Sequence, residues 1–499
     1  MNCKSIILLI VVLLFWGNAE ARKKKGKKVE EVQTESAYRK FFKGKACETA
    51  KGMITLHKMD GRVYFEIPLA LMGREMLMGS TISEITNNGF GSVGEKPKGL
   101  LYISFVRCDS VISLKQLTAQ YDTNEENLKQ RIKESTIPAT IKNFKITTYN
   151  EDSTAVVIDM TDYLVSADEA IDPFSPWAPI LAGGERVMEK EFRRENSQVV
   201  SIKAFEDNVS VKSSLTYGLS LKNKVMYIFQ REPFTAVMTR SFILLPEHPM
   251  RPRLADPRIA IFSQGVSVFN GDSRGAQARY YAQRWNLEPK DMEQYRKGVL
   301  TEPKKPIVFY VDNTFPENWK KYIKEGVEVW QMAFEKIGFK NAIVARDFPV
   351  DDVTFDPDNL KYSCVRYSPS WVANAMGPSW TDPRTGEIIN ASVYLYHNLV
   401  KMVQNWRFIQ TGPADANVRK IVFDEETLGE CIRYVVSHEI GHCLGFMHNM
   451  AASSAIPVDS LRSPSFTQKY GTTYSIMDYA RNNYVAQPGD KEKGVKLTP

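Results

Sequence analysis

The 499-residue sequence has no apolar run long enough to cross a bilayer. The longest, Ile6 to Trp16, has 11 residues, whereas a spanning helix needs about 17–25. No transmembrane span is expected. Cysteine is scarce, with six in the whole chain. Removal of a leader after Ala21 would leave five, Cys47, Cys108, Cys364, Cys431 and Cys443. An odd set of this kind is not a disulfide framework. Cys431 and Cys443 fall on one expected helix about 18 Å apart, too far to bridge. A field of one charge is also lacking. Of the net charge of +7, residues 22–28 carry +6, and Lys4 cancels Glu20, so the remaining chain carries only +1. A nucleic-acid binder would need a basic face on its fold, and none is expected here. With 43% hydrophobic and 25% charged residues, collagen-like, coiled-coil and wholly disordered classes are excluded.

Lys4, the apolar run and Ala19-Glu20-Ala21 together read as a secretory signal peptide, residues 1–21. Export to the periplasm, the outer membrane or the exterior is therefore expected, with an uncleaved signal anchor as the competing reading. The basic run that follows reads as a solvated leader, with contact to an anionic envelope surface as the second reading.

The rest divides by its punctuation. Residues 22–45 are basic and polar and read as a linker. Residues 46–90 form a small β module, in which Met59-Asp60-Gly61 between two apolar runs signals a hairpin. Residues 91–300 are β-rich, with short strands expected at Leu101 to Val106, Thr154 to Met160 and Val225 to Phe229. From residue 301 the periods change. Ile307 to Val311 reads as a buried strand. Pro316 opens a helix with Trp319, Tyr322, Ile323, Val327, Trp330, Phe334 and Ile337 on one face, ended by Gly338. A strand at Ala342 to Ala345 completes a βαβ unit. Further strands are expected at Tyr362 to Tyr367 and Glu387 to Tyr396. Asp424 caps a helix that runs to about Leu444, with Glu425 and Glu426 at its positive end. The expected fold class is α+β, a β-rich N-terminal region followed by an α/β domain.

That helix ends in His438-Glu439-Ile440-Gly441-His442-Cys443-Leu444-Gly445-Phe446-Met447-His448, the pattern H-E-x-x-H-x-x-G-x-x-H. His438 and His442 are four apart, so they share a helix face and can reach one zinc ion. Gly445 can take the left-handed conformation that stops the helix and returns His448 to the same metal. Three histidines leave a fourth position open, the mark of a catalytic zinc. Glu439 is turned about 100° from the first ligand. It is placed as general base for a zinc-activated water rather than as a ligand.

Downstream lies Ser475-Ile476-Met477-Asp478-Tyr479. It resembles the Met-turn of the metzincin clan of zinc peptidases. The resemblance implies that Met477 forms a hydrophobic base under the histidines, and that Tyr479 matches a tyrosine that sits near the metal and stabilises the oxyanion. More widely, Tyr64 to Pro68, Lys305 to Tyr310, Gly377 to Pro383 and Tyr470 to Tyr479 resemble a bacterial family, common in Bacteroidota. Its members are zinc-dependent metzincin metalloproteases with an EcxA-type zinc-binding domain and N-terminal domains of unknown function. The resemblance implies a metzincin catalytic domain over 301–499, with a mixed twisted sheet, an active-site helix and a Met-turn. It also implies that the strand Glu387 to Tyr396 borders the cleft as an edge to which substrate adds. Family members continue beyond the Met-turn, so a chain ending at Pro499 is expected to be truncated at the C-terminus.

The expected activity is that of an exported zinc-dependent endopeptidase acting on protein or peptide substrates. A catalytically silent, zinc-stabilised envelope binding protein of the same fold is the alternative, and Glu439 and Tyr479 argue against it. Phe269-Asn270-Gly271-Asp272 matches a propeptide aspartate switch, F-x-G-D, but reads first as a plain turn. Arg107-Cys108-Asp109 reads as a strand end rather than a cysteine switch. His57, His248 and His397 have no ligand spacing to the motif.

Overall fold

The structure is a computed structural model and describes residues 35–181, 185–271 and 274–499. The expected signal peptide, the basic run and Asp272 lie outside these residues. Among the described residues no helix is long and apolar enough to cross a membrane.

The N-terminal half is built on a 12-stranded sheet whose pairings are all antiparallel. Its first hairpin forms where Asp60 and Gly61 signal it. Both take positive φ, 52° and 71°, which a two-residue type I′ turn requires. They join Thr55–Met59 to Arg62–Pro68 with Met59 opposite Arg62. The sheet runs across residue 90. Glu75–Ile85 pairs with Leu101–Cys108 on one side and with Tyr227–Leu244 on the other. Residues before and after that point share one core, including Phe65, Ile103, Phe105, Val209 and Phe242. The strand expected from Val225 starts at Tyr227 instead. Val225 and Met226 lie in the turn between Asn208–Lys222 and Tyr227–Leu244, where Asn223 Oδ1 accepts from both their N–H groups.

The expected linker is corrected at its end. Ala37–Phe42 is a helix capped by Ser36. Tyr38, Phe41 and Phe42, spaced at helical intervals, pack on Met59, Tyr64 and Val157. Three aromatics on one helix face bury enough surface to order a stretch that is otherwise polar.

In the C-terminal half, Ile343–Asp347, Ile307–Val311, Ser363–Ser368 and Ile388–Tyr396 are neighbouring parallel strands. Glu317–Glu328 crosses between the first pair and buries Trp319, Tyr322, Ile323 and Val327. The helix expected to reach Ile337 breaks at Val329 and Trp330 and resumes as Gln331–Lys336. Trp330 is drawn elsewhere: its indole N–H donates to the Ser437 carbonyl at 2.9 Å, and its ring stacks on Phe446.

The edge-strand expectation is also corrected. Ile388–Tyr396 is an interior strand. On its far side the chain doubles back through Ala375–Met376 and Ser379–Thr381, both antiparallel to it. Gly377-Pro378 makes this return possible. A Cβ on Gly377 would collide with the Glu439 carbonyl, so the segment lies directly on the long helix Glu425–Cys443. That helix packs against Glu317–Glu328 just as closely, with no room for a Cβ at Gly429 against Tyr322 or at Gly326 against Val436.

Several segments of the N-terminal half reach into the C-terminal half, and two of them touch the strand Ile388–Tyr396 and the end of the long helix. In the first, Tyr394 donates its hydroxyl to the Gly94 carbonyl at 3.1 Å, and Lys96 Nζ donates to Ser392 Oγ at 3.2 Å while lying over the Trp380 ring. In the second, Phe262 N donates to Gly445 O at 2.8 Å, Met447 N to Ala260 O at 2.9 Å, and Trp285 Nε1 to Cys443 O at 2.9 Å.

Candidate metal centre

Glu425–Cys443 places the first two histidines. Its N-terminus is held by the Asp424 carboxylate, which accepts from Thr427 N at 2.9 Å. Its C-terminus turns at Gly445, whose φ of 101° is left-handed and open to glycine. A Cβ there would also collide with the Gln283 carbonyl. The turn returns His448, and ligating atoms of His438, His442 and His448 all lie within 4.8 Å of one another.

Backbone carbonyls fix the rings. His438 Nδ1 donates to Ile476 O at 2.7 Å, and His442 Nδ1 donates to Phe446 O at 2.7 Å. With Nδ1 carrying the proton, each Nε2 presents a lone pair. His438 Nε2 is buried with no hydrogen-bond partner among the described residues. His442 Nε2 is 3.2 Å from His448 Nε2. Burial, with smaller contributions from the other two rings, holds the His438 imidazole down at about 4. His442 and His448 are lowered too, burial again first. The rings are therefore neutral, the form that binds a metal. An orphaned buried nitrogen converging with two more is a donor set that fits a divalent cation, and imidazole donors suit zinc.

Glu439 lies beside this cluster, 8% exposed, and burial alone pushes its carboxyl up to about 8. Met477 is buried and packs where Gly441 has no side chain; a Cβ there would collide with its Sδ. Asn449 N donates to the Met477 carbonyl at 2.9 Å, which ties this turn to the loop after His448. The Tyr479 ring stands 4.5 Å from the His448 ring and 5.3 Å from that of His438, centroid to centroid. Partial burial and the nearby Glu439 raise its phenol above the ordinary tyrosine value. The structure thus gathers His438, Glu439, His442, His448, Met477 and Tyr479 around one point, with Gly445 making the turn.

The other histidines are elsewhere. His57 is bonded to Thr49 and Glu66, His397 to Tyr367, and His248 is exposed. Phe269 stacks on Tyr121 in a small sheet of the N-terminal half, and Cys108 ends a strand opposite Val111. Among the described residues no second group of three metal-binding side chains converges.

The cleft at the metal centre has a volume of about 570 Å³. Its walls include Phe262, Gln283, Asn374 and Met376 alongside the site residues. None of these four was marked by the sequence. Phe262 and Gln283 come from a segment far ahead of the motif, and no local pattern announces them. Arg481, two residues beyond Tyr479, lines an adjoining pocket with Trp406 and Tyr434; only its closeness to the Met-turn could have drawn attention to it.

Comparison with known families bears on this geometry. Residues 420–499 match the Met-zincin family. This Met-zincin region holds the capped helix, the three histidines, Met477 and Tyr479. Together, the match and the histidine cluster imply zinc and point to a zinc-dependent peptidase. Residues 35–85 and 96–290 match two families described as domains of unknown function (DUF5118 and DUF5117). No curated protein and no solved structure matches the chain.

Proposed function

We propose that the protein is an exported zinc-dependent endopeptidase of the metzincin type, related to the bacterial EcxA-type proteins. The observation that carries this reading is the orphaned His438 Nε2 converging with two further imidazole nitrogens beside a buried carboxyl. His438, His442 and His448 would hold the metal. Zinc bound there would supply a Lewis acid that acidifies water to near neutrality and polarises a peptide carbonyl. Glu439, shielded from solvent, takes the proton of the attacking water and gives it to the leaving amine nitrogen. The Tyr479 hydroxyl, half exposed at the rim, donates a hydrogen bond to the oxygen that gains charge. Met477 and Gly441 set the depth at which the two helix histidines sit. Residues 301–499 form the catalytic half, with residues 46–300 built against it.

Glu439→Gln tests the reading. Zinc content, measured by atomic emission, should stay near one per chain, while casein hydrolysis falls by roughly 10²–10⁴-fold. Equal activity in wild type and variant would mean that Glu439 moves no proton. A wild type that binds zinc and hydrolyses nothing would favour the alternative, a zinc-stabilised binding protein.

A further inference from the structure

Beside Glu439 the cleft deepens into a pocket of about 170 Å³, the size of an interior cavity that takes one small aromatic molecule. Met402, Trp406 and Val435 give it apolar walls, and His438, Glu439, Tyr434, Tyr479 and Arg481 bring its titratable groups. Arg481 is the residue that does not fit an ordinary core. Its guanidinium lies over the Trp406 ring, 4.0 Å from the centroid. Its Nε is buried without a hydrogen-bond partner among the described residues. The other buried or half-buried arginines after residue 301, Arg366, Arg384, Arg407 and Arg433, each have a carboxylate within 4.0 Å. Arg481 has none among the described residues.

The backbone that carries the cation is also held in place. Arg481 sits at φ 53°, a left-handed conformation that a non-glycine residue adopts only when its surroundings impose it. The next residue provides the restraint: Asn482 N and Nδ2 both donate to Gln410 Oε1, at 3.2 and 2.9 Å. A half-desolvated guanidinium with spare donors and no carboxylate within 4.0 Å among the described residues is a carboxylate receptor. It shares its pocket with Glu439 and Tyr479, so whatever fills that pocket belongs to a residue next to the bond being cut.

Resting on the peptidase reading, we propose that this pocket takes the acidic side chain of an aspartate or glutamate adjoining the scissile bond, with Arg481 as the residue that selects it. Trp406 backs the guanidinium plane, and the apolar walls exclude water from the ion pair.

The test uses the zinc-loaded full chain and neutral peptides that differ only in carrying Asp, Glu, Asn, Gln or Lys on either side of the cleaved bond. Wild type should cleave acidic peptides with kcat/KM roughly tenfold or more above their amides. Arg481→Gln should bring that ratio close to one. Arg481→Lys should keep part of it, and Arg481→Glu should turn it toward Lys. The readout is a ratio, so partial loss of folded protein cannot imitate it. A second arm needs no turnover: Glu439→Gln, titrated calorimetrically, should bind the Asp peptide more tightly than the Asn peptide, and adding Arg481→Gln should erase the difference. If neutral peptides are cleaved as well as acidic ones, or the ratio survives Arg481→Gln, the pocket assignment fails and the peptidase reading stands. If no peptide and no casein is cleaved while acid-selective binding persists, the peptidase reading fails, and with it the place beside a scissile bond, and only the selection of an acidic side chain by Arg481 stands. If neither cleavage nor selective binding is seen, both fail.

Discussion

At the level of single residues, the site depends on what is missing at Gly441 as much as on the groups that are present. Gly441 lies on the helix between His438 and His442, and the space its side chain would fill is taken by Met477 Sδ, with Trp330 also close. Gly441→Ala forces the sulfur aside or tilts the helix that carries two ligands. Overpacking of this kind costs about 1–3 kcal/mol. Thermal unfolding should show that loss, and competition against a chelator should show weaker zinc binding. A variant with unchanged Tm and unchanged affinity would mean that Met477 is not a base for the histidines. The three histidines, Glu439 and Gly445 were legible in the sequence because helix geometry ties each to its neighbours within 11 residues. Gly441 was not, since its constraint comes from a methionine 36 positions later. Arg481 was silent for a related reason: an unpaired charge can be recognised only when its surroundings are known.

Among the elements, Glu425–Cys443 was readable at both ends. Asp424 marks the start by its capping side chain, and the stop follows from Gly445. The cap gives a prediction with a pH dependence. The Thr427 backbone and side chain hydrogen-bond the Asp424 carboxylate and hold its pKa below the ordinary value of 3.8. A carboxylate lowered by folding adds stability that is complete above about pH 4 and is lost as pH falls through the lowered value. Asp424→Ala should cost about 1 kcal/mol near neutrality, and Asp424→Asn, which keeps a capping oxygen, clearly less. The gap between wild type and Asp424→Asn should narrow when denaturant unfolding is followed downward from pH 5. A gap that widens on acidification would contradict the assigned cap. Other elements were less readable for physical reasons. The break at Trp330 comes from a tertiary hydrogen bond to Ser437, which no helical period reveals. The strand Ile388–Tyr396 was expected at an edge because the family resemblance implied one, and its own alternating pattern does not tell edge from interior. Its neighbour arrives through a Gly-Pro reversal too short to register as strands, and it is this return, Asn374 to Ser379, that borders the cleft.

Over the whole molecule, the two halves meet along several segments, one of them at the metal centre, and this bears on whether the N-terminal half can be removed. The loop that delivers His448 is pinned by Ala260 and Phe262, and the helix end before it by Trp285. Gly445 has its shape because Gln283 occupies the space beside it. The Phe262 ring is 6.0 Å from the His442 ring. Elsewhere in the contact between the halves, Lys96 lies partly buried over Trp380 and beside Ser392, and burial pulls its ammonium down to about 8. Cutting the chain near residue 300 and discarding the first part would return the hydroxyl of Tyr394 and the carbonyls of Cys443 and Gly445 to water, at a loss of about 0.5–1.5 kcal/mol for each hydrogen bond. It would also expose the apolar faces beneath them. Residues 35–300 therefore supply one wall of the metal-centre cleft, and their removal is expected to loosen it. Residues 301–499 expressed alone should show weak near-ultraviolet dichroism, bind a hydrophobic dye, and hold zinc at least roughly tenfold less tightly than the intact chain. Adding separately produced residues 35–300 should recover the dichroism and the zinc affinity together, because the same contacts underlie both. A fragment 301–499 that is well ordered and binds zinc like the whole chain would show that the N-terminal half is dispensable to the site.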